Sequence, residues 1–257
     1  MWHGRLARDS FSTEIHGRAA HATRMPLHPQ QIRALTFDLF GTVLDLGGSL
    51  SPAIAGFLRI QNSSVTAEEF WHEWRYRQRI EQYHDNIVAM GHSGYLPVAR
   101  RALVYVLRQF DIDAAQSEID QLMSAWQELQ LFDDVLPALK RLSARYRLVA
   151  LSNGEEEYLE HLVRNRIKWN FDAVISVQIV GAFKPHPGVY RKAAAMLELE
   201  VGQCLMVSAN SYDVMGARMC GMRGAYVNRY RLPFEDTPFV PDLIVSDFSK
   251  LADKLLA

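Results

Sequence analysis

Four short segments hold the residues that could do chemistry: Asp38-Leu-Phe-Gly-Thr42, Ser152-Asn153-Gly154, Lys184-Pro185 and Ser208-Ala-Asn210-Ser-Tyr-Asp213. They bring together two carboxylates, one lysine and several small hydroxyl and amide groups. Those are the ingredients of a carboxylate nucleophile supported by acid–base and hydrogen-bonding groups. Each segment alone has an ordinary reading: Asp38 caps a turn, Ser152-Asn153-Gly154 is a β-turn, Lys184 is a solvated loop charge. Their placement argues otherwise, because each ends or follows a run that reads as a strand.

Those runs are short, apolar and bounded by turn residues. Ile32–Asp38 is broken by Gly41, and similar runs recur at Tyr146–Ser152, Phe171–Ser176, Cys204–Ser208, Ala225–Asn228 and Leu243–Ser246. Helical patterns such as Glu155–Arg166 and Gly188–Leu199 lie between several of them. Strand and helix in alternation predict an α/β fold, a parallel sheet covered on both faces. In such a sheet the ligand crevice lies beyond the carboxyl ends of the strands. The four segments therefore converge on one rim.

Between the first run and the second nothing resembles a strand. Ala67–His84, Tyr95–Phe110 and Ala114–Leu129 read as helices, so the chain carries an all-helical insertion after its first strand. The expected division is a core of residues 31–46 and 130–257 with a helical cap of residues 47–129. Residues 1–30 have no apolar period; they hold Arg5, Arg8, Arg18 and Arg24 against Asp9 and Glu14. They read as a disordered tail or an over-long start with Met25 as the true first residue, and less well as a transit peptide.

Composition narrows the partners. A chain of 257 residues, 49% hydrophobic, can bury a sizeable core. Lys+Arg 28 against Asp+Glu 29 gives a net charge of −1, which offers no electrostatic reason to expect nucleic acid or a membrane surface. No stretch approaches the ~18 apolar residues of a membrane span, and no secretory leader is visible. Cys204 and Cys220 lack CxxC spacing and fit buried thiols in a reducing cytoplasm.

Asp38-x-x-Gly41-Thr42-Val43, Ser152-Asn153-Gly154, Lys184-Pro185 and the Asp213 segment, in this order, resemble the haloacid dehalogenase superfamily. The resemblance runs from Ile32 to nearly the C-terminus. It implies a Rossmann-like core, an inserted cap and an aspartate nucleophile. Most of that superfamily are phosphatases, with a second acid two residues after the nucleophile and another five before the last aspartate. Here those positions are Phe40 and Ser208. Transferring a phosphoryl group to a carboxylate brings anions together and normally enlists a metal. Displacing halide beside a carboxylate needs neither an acid nor a metal, because halide leaves as an anion.

The finer resemblance is to the L-2-haloacid dehalogenases: Phe40 is the aromatic after the nucleophile, Tyr190 follows Lys184 by six, and Ser208, Asn210 and Asp213 form the last motif. Trp74-Arg75 matches the cap arginine, although Arg77 and Arg79 lie close by. The implied reaction converts short (S)-2-haloalkanoic acids to (R)-2-hydroxy acids with water as co-substrate, without metal or other cofactor. Asp38 would form an ester; Ser152 and the backbone N–H groups of Leu39, Phe40 and Asn153 would hold the substrate carboxylate; Arg75 and Asn153 would receive the halide. Asp213 would direct the hydrolytic water, supported by Lys184, Asn210 and Ser208, while Thr42 and Tyr190 position Asp38 and Lys184. Similar enzymes are often homodimers. The alternatives are a Mg²⁺-dependent phosphatase or phosphonate hydrolase on the same fold, and a catalytically idle relative that binds a partner through its cap.

Overall fold

The computed structural model describes residues 27–257, so the tail reading of residues 1–26 lies outside the described residues. The chain enters through one 3₁₀ turn, Pro29–Gln31, and goes straight into β1, Ala34–Phe37. All four β1 residues are buried, as expected of a strand covered on both faces. After β1 come a two-residue strand β2 (Leu44–Asp45) and helices α1 (Leu46–Ile60), α2 (Ala67–Ile87), α3 (Tyr95–Gln109) and α4 (Gln116–Ser124). Strand β3 (Gln130–Leu131) then leads to α5 (Val135–Leu142), β4 (Arg147–Ser152), α6 (Glu156–His161) and β5 (Ala173–Ser176). The chain finishes with α7 (Pro187–Met196), β6 (Cys204–Ser208), α8 (Ser211–Met219), β7 (Arg223–Val227), β8 (Leu243–Val245) and α9 (Phe248–Leu256).

Six of these strands form one sheet in the order β5-β4-β1-β6-β7-β8, and every pairing in it is parallel. The α/β expectation holds. The chain winds outward from β1 through β4 to β5, then returns to place β6 on the other side of β1. That reversal is the switch point at which open α/β sheets form ligand crevices. Register does the rest: Phe37 is level with Ala150 on β4 and with Val207 on β6, so Asp38, Ser152 and Ser208 finish on one edge. Both sheet faces are sealed; Phe37 stacks on Phe248 of α9 at 5.6 Å between ring centroids, while Tyr190 of α7 and Met206 of β6 belong to the opposite core.

The insertion and its borders differ from the sequence reading in three ways. Just outside residues 47–129, β2 and β3 pair antiparallel, Leu44 against Leu131, and tie the two ends of the insertion together. Two-residue strands are too short to show a period-2 pattern. A helix not singled out from sequence, α1, begins where the Asp45 carboxylate accepts the Gly48 N–H at 2.9 Å. The stretch read as one helix over 114–129 is α4 followed by a 3₁₀ turn, Ala125–Glu128, which delivers Trp126 fully buried into a cluster with Trp71, Trp74 and Tyr95. Outside the insertion, the pattern over 155–166 is α6 continued by a π turn, Leu162–Ile167, that stops at left-handed Lys168.

Aromatic packing fastens the insertion to the sheet. Phe40, in the loop after β1, stacks on Tyr95 of α3 at 3.9 Å and lies 5.9 Å from Tyr158 of α6. The end of α2 grips the loop before Lys184: the Asn86 side chain donates to Phe183 O at 2.8 Å and accepts the Phe183 N–H at 2.9 Å. No helix among the described residues is long and apolar enough to cross a membrane.

Candidate active site

At the carboxyl end of β1 the chain turns sharply, with Gly41 at φ +85°. A left-handed residue suits glycine, and here it lets Thr42 fold back onto Asp38. The Thr42 hydroxyl donates to Asp38 Oδ2 at 2.8 Å and accepts the Ala209 N–H at 2.8 Å. The Asn210 amide also donates to Asp38 Oδ2, at 2.8 Å, and to Phe40 O at 3.2 Å. Asp38 Oδ1 faces only the Lys184 ammonium, 3.4 Å away. One carboxylate oxygen is pinned twice and the other is comparatively free.

Lys184 is 1% exposed, and all three of its donors are engaged: Leu151 O at 2.6 Å, Asp213 Oδ2 at 3.0 Å and Asp38 Oδ1. The ammonium stands between the two carboxylates, where their repulsion would otherwise be unscreened. Its own backbone N–H is held by Asn153 Oδ1 at 2.9 Å. Tyr190 donates to Asp213 Oδ1 at 2.8 Å, so both Asp213 oxygens have a donor. Burial drives the Asp213 carboxyl above the usual carboxylate range, with Asp38 adding to the rise and Lys184 and Tyr190 opposing it. Tyr190 itself is pushed well up by burial and the neighbouring Asp213 charge, so it stays protonated as a donor.

Opposite this saturated network lies a set of unmet donors. The Ser152 hydroxyl is buried and has no hydrogen-bond partner. The backbone N–H groups of Leu39, Phe40 and Asn153 likewise meet no acceptor among the described residues. A buried donor without a partner is costly and uncommon. Such donors at adjacent strand ends form a cradle for an anion.

Arg75 reaches in from α2. One terminal nitrogen donates to Gln78 Oε1 at 2.9 Å and Tyr95 Oη at 3.3 Å, which leaves its other donors unused. Burial weakens its hold on the proton, but Tyr95, Tyr212, Tyr230 and Asp38 around it more than compensate. Arg75 therefore stays charged. Arg77 instead points away, pairing with Glu81 and lying 3.8 Å over the Tyr105 ring. A cavity of about 380 Å³, lined by Gly41, Arg75, Arg79, Asn210 and Tyr230 among others, opens beside the network. Depressions of about 800 and 640 Å³ around Arg33 and Gln203 lie at the opposite, amino-terminal edge of the sheet.

All the residues singled out from sequence fall at this rim. Three differ in partner from the expectation: Ser208 accepts the Asn210 N–H at 3.1 Å and bonds neither Lys184 nor Asp213, Asn210 bonds Asp38 instead of Asp213, and Tyr190 bonds Asp213 instead of Lys184. For Ser208 the correction is small, since it sets the turn that carries Asn210. No group of three or more His, Cys, Asp or Glu side chains that could hold a metal occurs among the described residues.

A family model described as haloacid dehalogenase-like hydrolase matches residues 32–221. The chain belongs to that family. Among its relatives, an (S)-2-haloacid dehalogenase from Xanthobacter autotrophicus is 32% identical over 200 residues, 77% of this chain and 76% of the relative. An (S)-2-haloacid dehalogenase of Pseudomonas putida is 28% identical over 229 residues, 88% of this chain and 99% of the relative. Among solved structures, the L-2-haloacid dehalogenase from Xanthobacter autotrophicus with chloropropionic acid covalently bound aligns with a TM-score of 0.76 at 26% identity, over 88% of this chain and 99% of that one.

In this haloacid dehalogenase-like hydrolase several rim residues had no sequence signal. Tyr95, pushed up to about 12 by burial, orients Arg75 but sits at a helix start like any packing aromatic. Gln82 accepts the Asn153 amide at 3.4 Å, and the His92 ring meets Asn153 O at 2.7 Å. Both reach the core from the insertion, a proximity visible only in three dimensions. Arg79, in sequence only a neighbour of Arg75, lines the same cavity.

Proposed function

We propose that this protein is an (S)-2-haloacid dehalogenase acting through an ester on Asp38, with residues 47–129 serving as the cap over a core of residues 31–46 and 130–257. The observation that carries this reading is the pairing of a doubly pinned carboxylate with an empty anion cradle at Ser152, Leu39, Phe40 and Asn153. The cradle takes the substrate carboxylate and fixes the halogen-bearing carbon before Asp38 Oδ1. That oxygen attacks in line, the carbon–halogen bond breaks, and halide leaves with the bonding electrons toward the free donors of Arg75, with Asn153 beside it.

Water then attacks the carbonyl carbon of the Asp38 ester, giving a proton to Asp213; the carbonyl C–O bond breaks, and the departing alkoxide takes that proton from Asp213 to leave as the 2-hydroxy acid. The chiral carbon is inverted once. Thr42 and Asn210 hold Oδ2 throughout, while Lys184 and Tyr190 hold Asp213 and Ser208 holds the Asn210 turn. Phe40 occupies a position where an acid would be needed for a poorer leaving group; it serves instead to pack the insertion against the rim. Ser208 stands where the metal-dependent members carry an acid, and among the described residues no third carboxylate, histidine or cysteine joins Asp38 and Asp213, so the donor set does not fit a divalent metal. Two free thiols, Cys204 and Cys220, fit a cytoplasmic site of action, and a homodimer is the assembly expected from similar enzymes.

The test is halide release from each enantiomer of 2-chloropropanoate beside phosphate release from an aryl phosphate, each with and without EDTA. The expected result is chelator-insensitive halide release from the S enantiomer, with D-lactate as product. Phosphate release that needs Mg²⁺, or L-lactate from the S substrate, overturns the reading.

A further inference from the structure

Arg79 has no part in the reaction as drawn. It is partly buried, lines the cavity with Arg75 and Asn210, and forms no hydrogen bond or ion pair with any described residue. Its Nε is fully buried and without a partner. The other arginines of α2 are both engaged, Arg75 by Gln78 and Tyr95, Arg77 by Glu81. Arg79 also lies one helical turn from Arg75, and like charges at that spacing oppose each other. Burial first, and Arg75 second, both push its pKa down. A guanidinium held against desolvation and a like charge, with no counter-ion of its own, is completed by an anion from outside.

The surroundings say which kind. Tyr83, Tyr212 and Tyr230 are close enough to act on its charge, and Tyr83 meets Tyr212 edge-on at 6.1 Å. Tyr230 already donates to Gly41 O at 3.1 Å, but the Tyr83 and Tyr212 hydroxyls donate to no described acceptor. Burial raises both, so both stay protonated and neutral. A guanidinium flanked by neutral donors suits a singly charged, planar acceptor such as a carboxylate. The acid lining the cavity, Glu68, is exposed and lies eleven residues before Arg79 on α2, roughly 16 Å along the axis, too far to serve, while exposed Glu235, whose charge acts on Tyr83, accepts the Ser211 hydroxyl. About 380 Å³ is also more room than a three-carbon acid fills.

We infer that the preferred substrate carries a second carboxylate at the end of its 2-alkyl branch, a 2-haloalkanedioate whose far end is held by Arg79 with the hydroxyls of Tyr83 and Tyr212. This rests on the dehalogenase reading for the chemistry, which is unchanged: halide leaves and a 2-hydroxy diacid is released. Arg79 is thus a specificity-determining residue, and the branch it reads points away from the Ser152 cradle.

Two measurements test it. The first is kcat/KM for (S)-2-chlorosuccinate against (S)-2-chloropropanoate, for the wild type and for Arg79→Met and Arg79→Lys. The wild type should prefer the diacid at least tenfold; the ratio should fall at least tenfold in Arg79→Met and recover in part in Arg79→Lys. The second is calorimetric binding of succinate against butanoate, which needs no turnover. Succinate should bind the wild type at least tenfold more tightly, with the difference lost in Arg79→Met. A wild type without preference for the diacid in either measurement overturns the inference while leaving dehalogenation intact. Tight succinate binding with no halide released from either acid overturns the dehalogenase chemistry and keeps the diacid site.

Discussion

Lys184 on the strand rim and the arginine pair of α2 are cations in one site, and the fold treats them in opposite ways. Lys184 is 1% exposed and gives every donor to the protein: two carboxylates and a carbonyl. Arg75 gives one nitrogen to Gln78 and Tyr95, and Arg79 gives nothing. The first arrangement stabilises a fixed charge pattern around Asp38; the second keeps charge unspent for whatever enters. On the proposed reading, the wall saturated by its own contacts organises the nucleophile and the wall with spare donors recognises the substrate. Substitutions on the two walls should therefore separate stability from activity.

The largest effect belongs to the rim's centre. Asp38→Asn removes the attacking oxygen's charge and should lower halide release by ~10⁴-fold or more, leaving the far-UV circular dichroism unchanged. In single turnover in ¹⁸O-water, label should enter the Asp38 carboxylate before the product. Label in the product with Asp38 unlabelled would mean that water attacks the substrate directly.

Next come the cations themselves. Lys184→Met leaves Asp38 and Asp213 facing each other in a buried site, and breaking a buried pair in this way costs about 3–5 kcal/mol. Urea unfolding should show that loss along with loss of turnover. Arg75→Met should cut kcat/KM by about 10²-fold, in line with loss of one preorganised charge, yet leave stability unchanged or raised, because it relieves the repulsion with Arg79. Equal destabilisation by both variants would erase the distinction between the walls.

Ser152→Ala sharpens the contrast within the rim. Its hydroxyl is buried without a partner, so removing it breaks no bond of the free protein. Stability should hold or rise by about 1 kcal/mol, the desolvation cost recovered, while KM for the haloacid rises roughly tenfold. A loss of stability would show that the hydroxyl has a hidden partner and that the cradle is not open.

The two walls were also unequally legible in the sequence. Asp38, Ser152, Lys184 and Asp213 end or follow strands, and strand runs are short, apolar and punctuated, so register alone gathers them. The parallel sheet followed from the same signal. The insertion was legible only as helix. The two-residue strands that flank it have no period, and Tyr95, Gln82 and Arg79 sit on helix faces where a packing aromatic or a solvated charge would look the same. What decides their role is the rotation of α2 and α3 over the rim, fixed by Phe40 on Tyr95 and Asn86 on Phe183, contacts between residues 55 and 97 positions apart.

The smallest expected effect tests the rim's finest adjustment, the protonation of Asp213. Hydrolysis of the ester needs the Asp213 carboxylate, so its rate should fall as pH drops through that group's pKa. In the free protein burial raises this pKa, Asp38 raises it further, and the Lys184 contact and the Tyr190 hydrogen bond lower it. Once Asp38 is an ester its charge is gone. The acid limb for hydrolysis, measured in single turnover on preformed ester, should therefore lie below the limb for ester formation if that step also senses Asp213. Tyr190→Phe removes one of the two influences that favour the carboxylate. Loss of a hydrogen bond to the charged form disfavours that form, so the hydrolytic limb should move to higher pH. Above the shifted limb the variant should hydrolyse ester nearly as fast as the parent, because the carboxylate is then formed in both. A uniform loss of rate at every pH, with no movement of the limb, would show that Tyr190 positions Asp213 without tuning its charge.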